Sequence, residues 1–212
     1  MRGYGGRWSG FARKNNMDLK AAIAVLKNGG VVVFPTETSY GIGCDATNAK
    51  AVRRVFAIKG RPEGKGTPLI VDSLKMAKRW GKFSPTAQRL AKKYWPGPLT
   101  MVVPVLVFAR NDKKIVQAVL QNKTVALRVS SHPIARALAK GLGRPIVATS
   151  ANRSGQPPAF SCRALSPLLT GKDGSGVVYV VNVGALPKQK PTTIVKIIGN
   201  DVEVLRQGKI KL

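Results

Sequence analysis

The stretch from Val31 to Arg61 constrains the fold most. It opens with an unbroken apolar run, Val31 to Phe34, of a length and composition that predict a buried strand. Pro35 removes a backbone donor and ends the strand. A hydroxyl-rich turn follows, with Thr36, Thr38, Ser39 and Tyr40, and Gly41 and Gly43 let the backbone turn sharply. Ala46 to Ile58 then predicts a helix, with Ala49, Val52, Val55 and Phe56 on its apolar face. Lys59 and Arg61 stand at its end on either side of Gly60, and Pro62 halts it. A strand that delivers hydroxyls, followed by a helix that delivers paired cations, suits a small anionic ligand.

Charge sets the expected company. The chain has 212 residues, with 36 Lys and Arg against 9 Asp and Glu, for a formal net charge of +27. Between Ser73 and Lys172 the sole acid is Asp112. Such a surface calls for RNA, DNA, an anionic membrane or nucleotides, unless it reflects a basic bias of the whole host proteome. An apolar fraction of 44% supports a folded core, and the length fits one domain. The absences narrow the chemistry. With His132 as the single histidine and few carboxylates, there is no obvious histidine-based triad. Cys44 and Cys162 have no metal-ligand spacing, so no protein-built metal site is expected. They read as reduced thiols of a cytoplasmic protein. Gly-x-Ser-x-Gly is missing, and no Gly-x-Gly-x-x-Gly follows a strand, which argues against common serine hydrolases and dinucleotide dehydrogenases. No apolar run is long enough to span a bilayer, so no membrane partner is expected.

In chain order, residues 1–16 are rich in Gly and Arg and read as a disordered basic arm. An organellar presequence and a nucleic-acid-binding arm are the other readings. Met17 offers a second start, and the domain is expected to run over 17–212. Asp18 caps a helix from Leu19 to Lys27 that stops at Asn28-Gly29-Gly30. Gly60 to Gly64-Lys65 is one residue short of a phosphate loop, and Gly66 stands where that motif needs a hydroxyl, so 62–67 reads as a flexible loop. Further elements are a strand over Leu69–Val71, a helix from Asp72 or Ser73 toward Trp80, and a helix from Ser84-Pro85 to Tyr94. Next come a strand over Leu99–Leu106, a loop and short helix over 107–123, a strand over Val125–Val129 and a helix over Pro133–Leu142. A buried strand over Pro145–Thr149 leads into Ser150-Ala151-Asn152. A helix over Arg163–Leu169 and strands over Val177–Val183, Ile194–Ile198 and Val202–Leu205 complete the chain. Several strands are too close in sequence for crossover helices, so the expectation is a single α/β domain, a mixed sheet with flanking helices.

One device recurs: an apolar strand ends in hydroxyls or amides, with Lys or Arg nearby. It occurs at Thr36, at Ser150 and Asn152, and at Thr192 and Thr193. Ligands sit at such strand ends, and hydroxyls with arginine forks bind carboxylates and phosphates. Catalysis there would be positioning and charge neutralisation, as in nucleotidyl transfer, without a side-chain nucleophile.

Pro35-Thr36-Glu37-Thr38-Ser39-Tyr40-Gly41, Lys59-x-Arg61-Pro62, Trp95-Pro96-Gly97-Pro98-Leu99-Thr100, Val125-Ala126-Leu127-Arg128-Val129, His132-Pro133, Thr149-Ser150-Ala151-Asn152-x-Ser154-Gly155 and Leu205-Arg206-Gln207-Gly208 follow in order. Together they resemble the YrdC family of threonylcarbamoyl-AMP synthases over roughly Ala21 to Gly208. The resemblance implies a twisted α/β sheet around a positively charged cavity that takes ATP, L-threonine and bicarbonate. It also implies release of pyrophosphate, and transfer of the product to a partner that modifies a tRNA adenosine. It casts Lys59 and Arg61 as catalytic, and Thr36, Arg128, Ser150 and Thr192 as holding threonine. Lys59, Arg61, Thr100, Asn152 and Arg206 would face ATP, with Mg²⁺ carried on the phosphates. One stretch departs: Thr192-Thr193-Ile194-Val195-Lys196 replaces the usual Ser-Thr-Ile-Val-Asp and is closer to the YciO-like branch. The alternative to a synthase is an RNA-binding relative without that activity.

Overall fold

The computed structural model describes residues 18–62, 66–106, 114–165 and 179–212. The expected arm over 1–16, part of the loop after Arg61, and the ends of the elements expected at 163–169 and 177–183 lie outside them. The described elements are, in order, α1 (Leu19–Lys27), β1 (Val32–Pro35), β2 (Tyr40–Gly43), α2 (Ala49–Lys59), β3 (Leu69–Ile70), α3 (Leu74–Ala77) and α4 (Pro85–Tyr94). They continue with β4 (Leu99–Pro104), β5 (Thr124–Arg128), α5 (Pro133–Leu142), β6 (Ile146–Val147), β7 (Thr149–Ser150), β8 (Tyr179–Val180), β9 (Thr193–Ile198) and β10 (Asp201–Arg206). Short 3-10 turns lie at Gln117–Val119 and Cys162–Leu165.

The mixed sheet expected from the sequence divides in two. A four-stranded sheet runs β7-β2-β1-β8 and a six-stranded one runs β10-β9-β4-β5-β3-β6. Each combines parallel and antiparallel pairs: β1 lies antiparallel to β2 but parallel to β8, and β4 antiparallel to β5 but parallel to β9. The single strand expected over Pro145–Thr149 is what joins them. It breaks at Ala148, whose N–H donates to Pro68 O at 2.9 Å, so that β6 closes one sheet and β7 the other. Val147 donates to Cys44 O at 2.9 Å, which brings β2 and β6 close. At Gly43 a Cβ would sit 1.8 Å from Val147 O, so this crossing excludes any side chain there.

The apolar run opening β1 is buried on both faces, as its composition predicts. Val31 and Val33 join the larger core with Val52, Val55 and Phe56 of α2 and Leu99, Met101 and Leu127 of the six-stranded sheet. Val32 and Phe34 face the second core, with Leu26 of α1 and Leu138 and Leu142 of α5. Each such buried side chain contributes roughly 1.5–3 kcal/mol. Alternate residues of one short strand thus tie both layers together.

Local chemistry moves some element ends. The helix expected from Ala46 starts at Ala49, because the Asp45 carboxylate takes the Thr47 N–H at 2.9 Å and its hydroxyl at 2.7 Å and pairs with Arg144. That Asx turn holds 45–47 out of the helix, and Asn48 becomes the cap. Of the helix expected to reach Trp80, Leu74–Ala77 is helical and turns follow. Pro133–Leu142 has the expected bounds, with a proline at its start and Gly143 in the left-handed region beyond its end.

Candidate active site

A cavity of about 550 Å³ opens where strand ends of both sheets meet. The four-stranded sheet contributes Thr36, Thr38 and Ser39 from the β1–β2 turn and Ser150 from β7. The six-stranded sheet contributes Thr100 of β4, Arg128 of β5, Thr192 before β9 and Arg206 of β10. Arg61, just past α2, completes the wall. Three guanidiniums line the cavity, and no carboxylate is among the described lining residues. Seven of the nine residues singled out from the sequence are therefore on its wall: Thr36, Arg61, Thr100, Arg128, Ser150, Thr192 and Arg206.

Lys59 and Asn152 lie behind Ser150. Lys59, 4% exposed, donates from its ammonium to Ser150 O at 2.6 Å, Asn152 O at 2.8 Å and Asn152 Oδ1 at 3.0 Å. Its three hydrogens are matched by three oxygens of one loop. Ser150 Oγ donates to Asn152 Oδ1 at 2.6 Å, and Ser154 N–H donates to Lys59 O at 2.8 Å. The Lys-x-Arg and Ser-x-Asn stretches are thus parts of one clasp that holds the cavity-lining Ser150 against the end of α2. Burial, with repulsion from Arg61, lowers the Lys59 pKa to about 8. Gly60, at φ 60°, turns the chain so that Arg61 faces the cavity. Its Nη2 donates to Gly66 O at 3.2 Å, and burial lowers its pKa.

Thr36 builds the turn it sits in. Its hydroxyl donates to Ser39 O at 2.7 Å and accepts the N–H groups of Thr38 at 3.2 Å and Ser39 at 3.3 Å. With Thr36 so engaged, the Thr38 hydroxyl, 3.0 Å away, is the more available to a ligand. On the opposite wall Thr100 Oγ1 donates to Thr192 Oγ1 at 3.1 Å. Arg206 donates to the Thr192 carbonyl from Nε at 3.0 Å and Nη2 at 2.8 Å, and to Thr192 Oγ1 at 2.8 Å. Burial, then repulsion from Arg128, lowers the Arg206 pKa, so two cations share this end of the cavity. Arg128, 5% exposed, pairs with Glu37 at 2.8 Å. Glu37 was not singled out from the sequence, although it is the acid within the hydroxyl turn. Gln189, also on the wall, lies in a stretch without periodicity, and nothing in the sequence marked it.

No group of His, Cys, Asp and Glu among the described residues is arranged to hold a metal ion.

This geometry has relatives. The family model Sua5_yciO_yrdC, described as telomere recombination, matches residues 24–208. The threonylcarbamoyl-AMP synthase of Thiobacillus denitrificans is 38% identical over 173 residues, covering 81% of this chain and 87% of that protein. The crystal structure of P. abyssi Sua5 complexed with L-threonine superposes with a TM-score of 0.78 at 32% identity, over 90% of this chain and 54% of that one. The chain thus spans about half the length of that solved protein. E. coli YciO superposes with a TM-score of 0.75 at 27% identity, over 90% of this chain and 88% of that one. With its motifs, its sheets and a match of this extent in agreement, the chain belongs to the Sua5/YciO/YrdC family.

Proposed function

We propose that the chain is an L-threonylcarbamoyladenylate synthase, a nucleotidyltransferase that makes threonylcarbamoyl-AMP and pyrophosphate from L-threonine, bicarbonate or CO₂, and ATP. The observation that carries this is the cavity itself. Three guanidiniums and a set of threonine and serine hydroxyls converge on about 550 Å³. That donor set matches carboxylate and phosphate oxygens. The relatives named threonylcarbamoyl-AMP synthase, and the Sua5 structure complexed with L-threonine, support the synthase over an RNA-binding relative without synthesis.

In this reading threonine lies between the hydroxyl turn and Arg128, its carboxylate on the Arg128 guanidinium and its side chain near Thr36, Ser150 and Thr192. The triphosphate lies toward Arg61 and Arg206, with Thr100 beside it. The threonine amine attacks the carbon of CO₂ and gives up a proton to solvent, or attacks bicarbonate, from which water leaves, and a carbamate forms. A carbamate oxygen then attacks the α-phosphorus, the bond to the bridging oxygen breaks, and pyrophosphate leaves with the electron pair. The side chains hold the reactants in line and neutralise charge that builds on the phosphates, and none is consumed. Lys59 and Asn152 act through Ser150 by fixing its loop. The described residues do not fit a carboxylate cage for Mg²⁺, so the ion would enter on the phosphates of ATP.

The product is a reactive mixed anhydride and requires a partner that transfers its threonylcarbamoyl group to a tRNA adenosine. Cys44 and Cys162 are free thiols, which fits a reducing, cytoplasmic setting. No helix among the described residues is long and apolar enough to cross a membrane. The surplus charge has its own outlet: Lys75, Lys78, Arg79, Lys82, Arg89, Lys92 and Lys93 are exposed on and between α3 and α4 without an intervening acid. This face would bind RNA non-specifically, with a salt slope of roughly −0.7 per phosphate contact on single strands. Reversing these charges would flatten that slope and leave synthesis intact.

The test is pyrophosphate release measured with each substrate omitted in turn. Release that requires both threonine and bicarbonate supports the proposal, and equal release without threonine refutes it.

A further inference from the structure

The β1–β2 turn places a carboxylate where the cavity's chemistry alone would not require one. Glu37 Oε1 accepts from Arg128 Nη1 at 2.8 Å, and Oε2 accepts from the Ser130 hydroxyl. Ser130 is fully buried, and its oxygen also takes the His132 N–H at 3.2 Å, at the start of α5. The Ser130 carbonyl takes Arg136 Nη1 at 3.3 Å. Glu37 is therefore gripped from two sides by groups that are themselves fixed. Arg128 commits Nη1 to the pair and is among the residues that line the cavity, and its guanidinium has further N–H donors with which to hold a ligand there. Arg206 differs: the oxygens that hold it belong to Thr192 and carry no charge. Burial disfavours the Arg128 cation, and Glu37 opposes that effect.

We propose that Glu37 is a positioning and specificity residue that makes the Arg128 side of the cavity accept a carboxylate and reject a phosphate. The pair presents an oriented guanidinium edge with little net charge. A planar monoanion can fork onto that edge. A phosphate dianion would meet the same edge with the Glu37 charge directly behind it, and in a partly buried site such like-charge opposition is strongly felt. Phosphates are thereby directed to Arg206 and Arg61, and the two substrates cannot exchange places. That the carboxylate is threonine's rests on the synthase reading; the charge filter rests on the Glu37–Arg128–Ser130 geometry.

Two measurements on wild type, Glu37→Gln and Glu37→Asp test this, with inorganic phosphate as the probe. In turnover assays, phosphate should compete with ATP alone in wild type and in Glu37→Asp, which keeps the charge. In Glu37→Gln it should also compete with threonine, binding at that side at least roughly tenfold more tightly than in wild type, and the threonine KM should rise. In thermal melts without substrates, phosphate should raise the Tm of Glu37→Gln more than that of wild type, because it supplies the missing counter-charge. A Glu37→Gln protein with the wild-type competition pattern, or with the wild-type phosphate response in melts, overturns the proposal. If Glu37→Gln does not fold, Ser130→Ala replaces it. Loss of that clamp should raise the threonine KM while the phosphate pattern stays as in wild type, and an unchanged KM counts against the proposal. The two readings fail separately. Absent threonine-dependent turnover in wild type refutes the synthase, while the melts still decide the filter.

Discussion

The ammonium of Lys59, at the end of α2, donates to the backbone carbonyl of Ser150 at 2.6 Å across 91 residues of sequence. With both Asn152 acceptors satisfied as well, Lys59 is the pin of the loop that brings Ser150 to the cavity. Lys59→Met would leave the Asn152 carbonyl without a donor and take one of two donors each from Ser150 O and Asn152 Oδ1. The expected loss of stability is about 1–3 kcal/mol, the cost of leaving a buried polar group unsatisfied. Denaturant unfolding measures it, and kcat/KM for threonine should fall with it.

The pH dependence follows from the same residue. Its folded pKa is about 8, below the 10.5 expected of a lysine in the unfolded chain. Between those values the unfolded state binds more protons, so this group's contribution to stability rises with pH; below pH 8 the cost of burying its charge is fully present. Activity should move the other way. The ammonium is the form with three donors, so kcat/KM should fall on an alkaline limb near pH 8. ATP in the cavity would favour the cation, so the limb of kcat should lie higher. A Lys59→Arg protein that still showed the limb near pH 8 would assign it to another group.

Arg61 is expected to contact phosphate through a planar pair of donors. Arg61→Lys keeps the charge and loses the fork, at a cost of about 1.5–3 kcal/mol in kcat/KM for ATP. Wild-type kinetics in this variant would mean that Arg61 serves to hold its loop through Gly66 O and does not fork onto phosphate.

Gly208 lets the segment after β10 pass close to the backbone that leads into β9. A Cβ there would lie 2.3 Å from Pro191 O and 2.5 Å from both Thr192 C and Thr193 N, all backbone atoms. Gly208→Ala should therefore shift the segment that follows Arg206, destabilise the fold by about 1–3 kcal/mol and raise the KM for ATP. A crystal structure of the variant with Arg206 unmoved on Thr192 would contradict this.

The sequence exposes those parts of the site that depend on local pattern. The strand ending at Pro35, the hydroxyls after it, the cation pair after α2 and the capped α5 are all written in runs of a few residues. Relations across the chain are not. Nothing near Pro145–Thr149 signals that Ala148 will bond to Pro68 and divide the sheet, because the reason lies in a segment far away in sequence. Asp45 shortened α2 through a side-chain turn and a partner, Arg144, that periodicity does not register. The resemblance casts Lys59 and Asn152 as facing ATP; that they also bond to each other behind Ser150 is a relation across the chain that neither stretch displays. Glu37 carries no local signal of its role, because its partners, Arg128 and Ser130, lie about ninety residues on.

The most direct measurement is the fate of the bicarbonate carbon. The purified protein is incubated with ATP, L-threonine and ¹³C-bicarbonate, and the nucleotide products are identified by mass spectrometry. The account predicts a threonine-dependent adenylate that carries the label between the amino acid nitrogen and the α-phosphate, formed in step with pyrophosphate. Pyrophosphate or AMP produced without a labelled threonine adduct, at a rate unaffected by threonine, would contradict it.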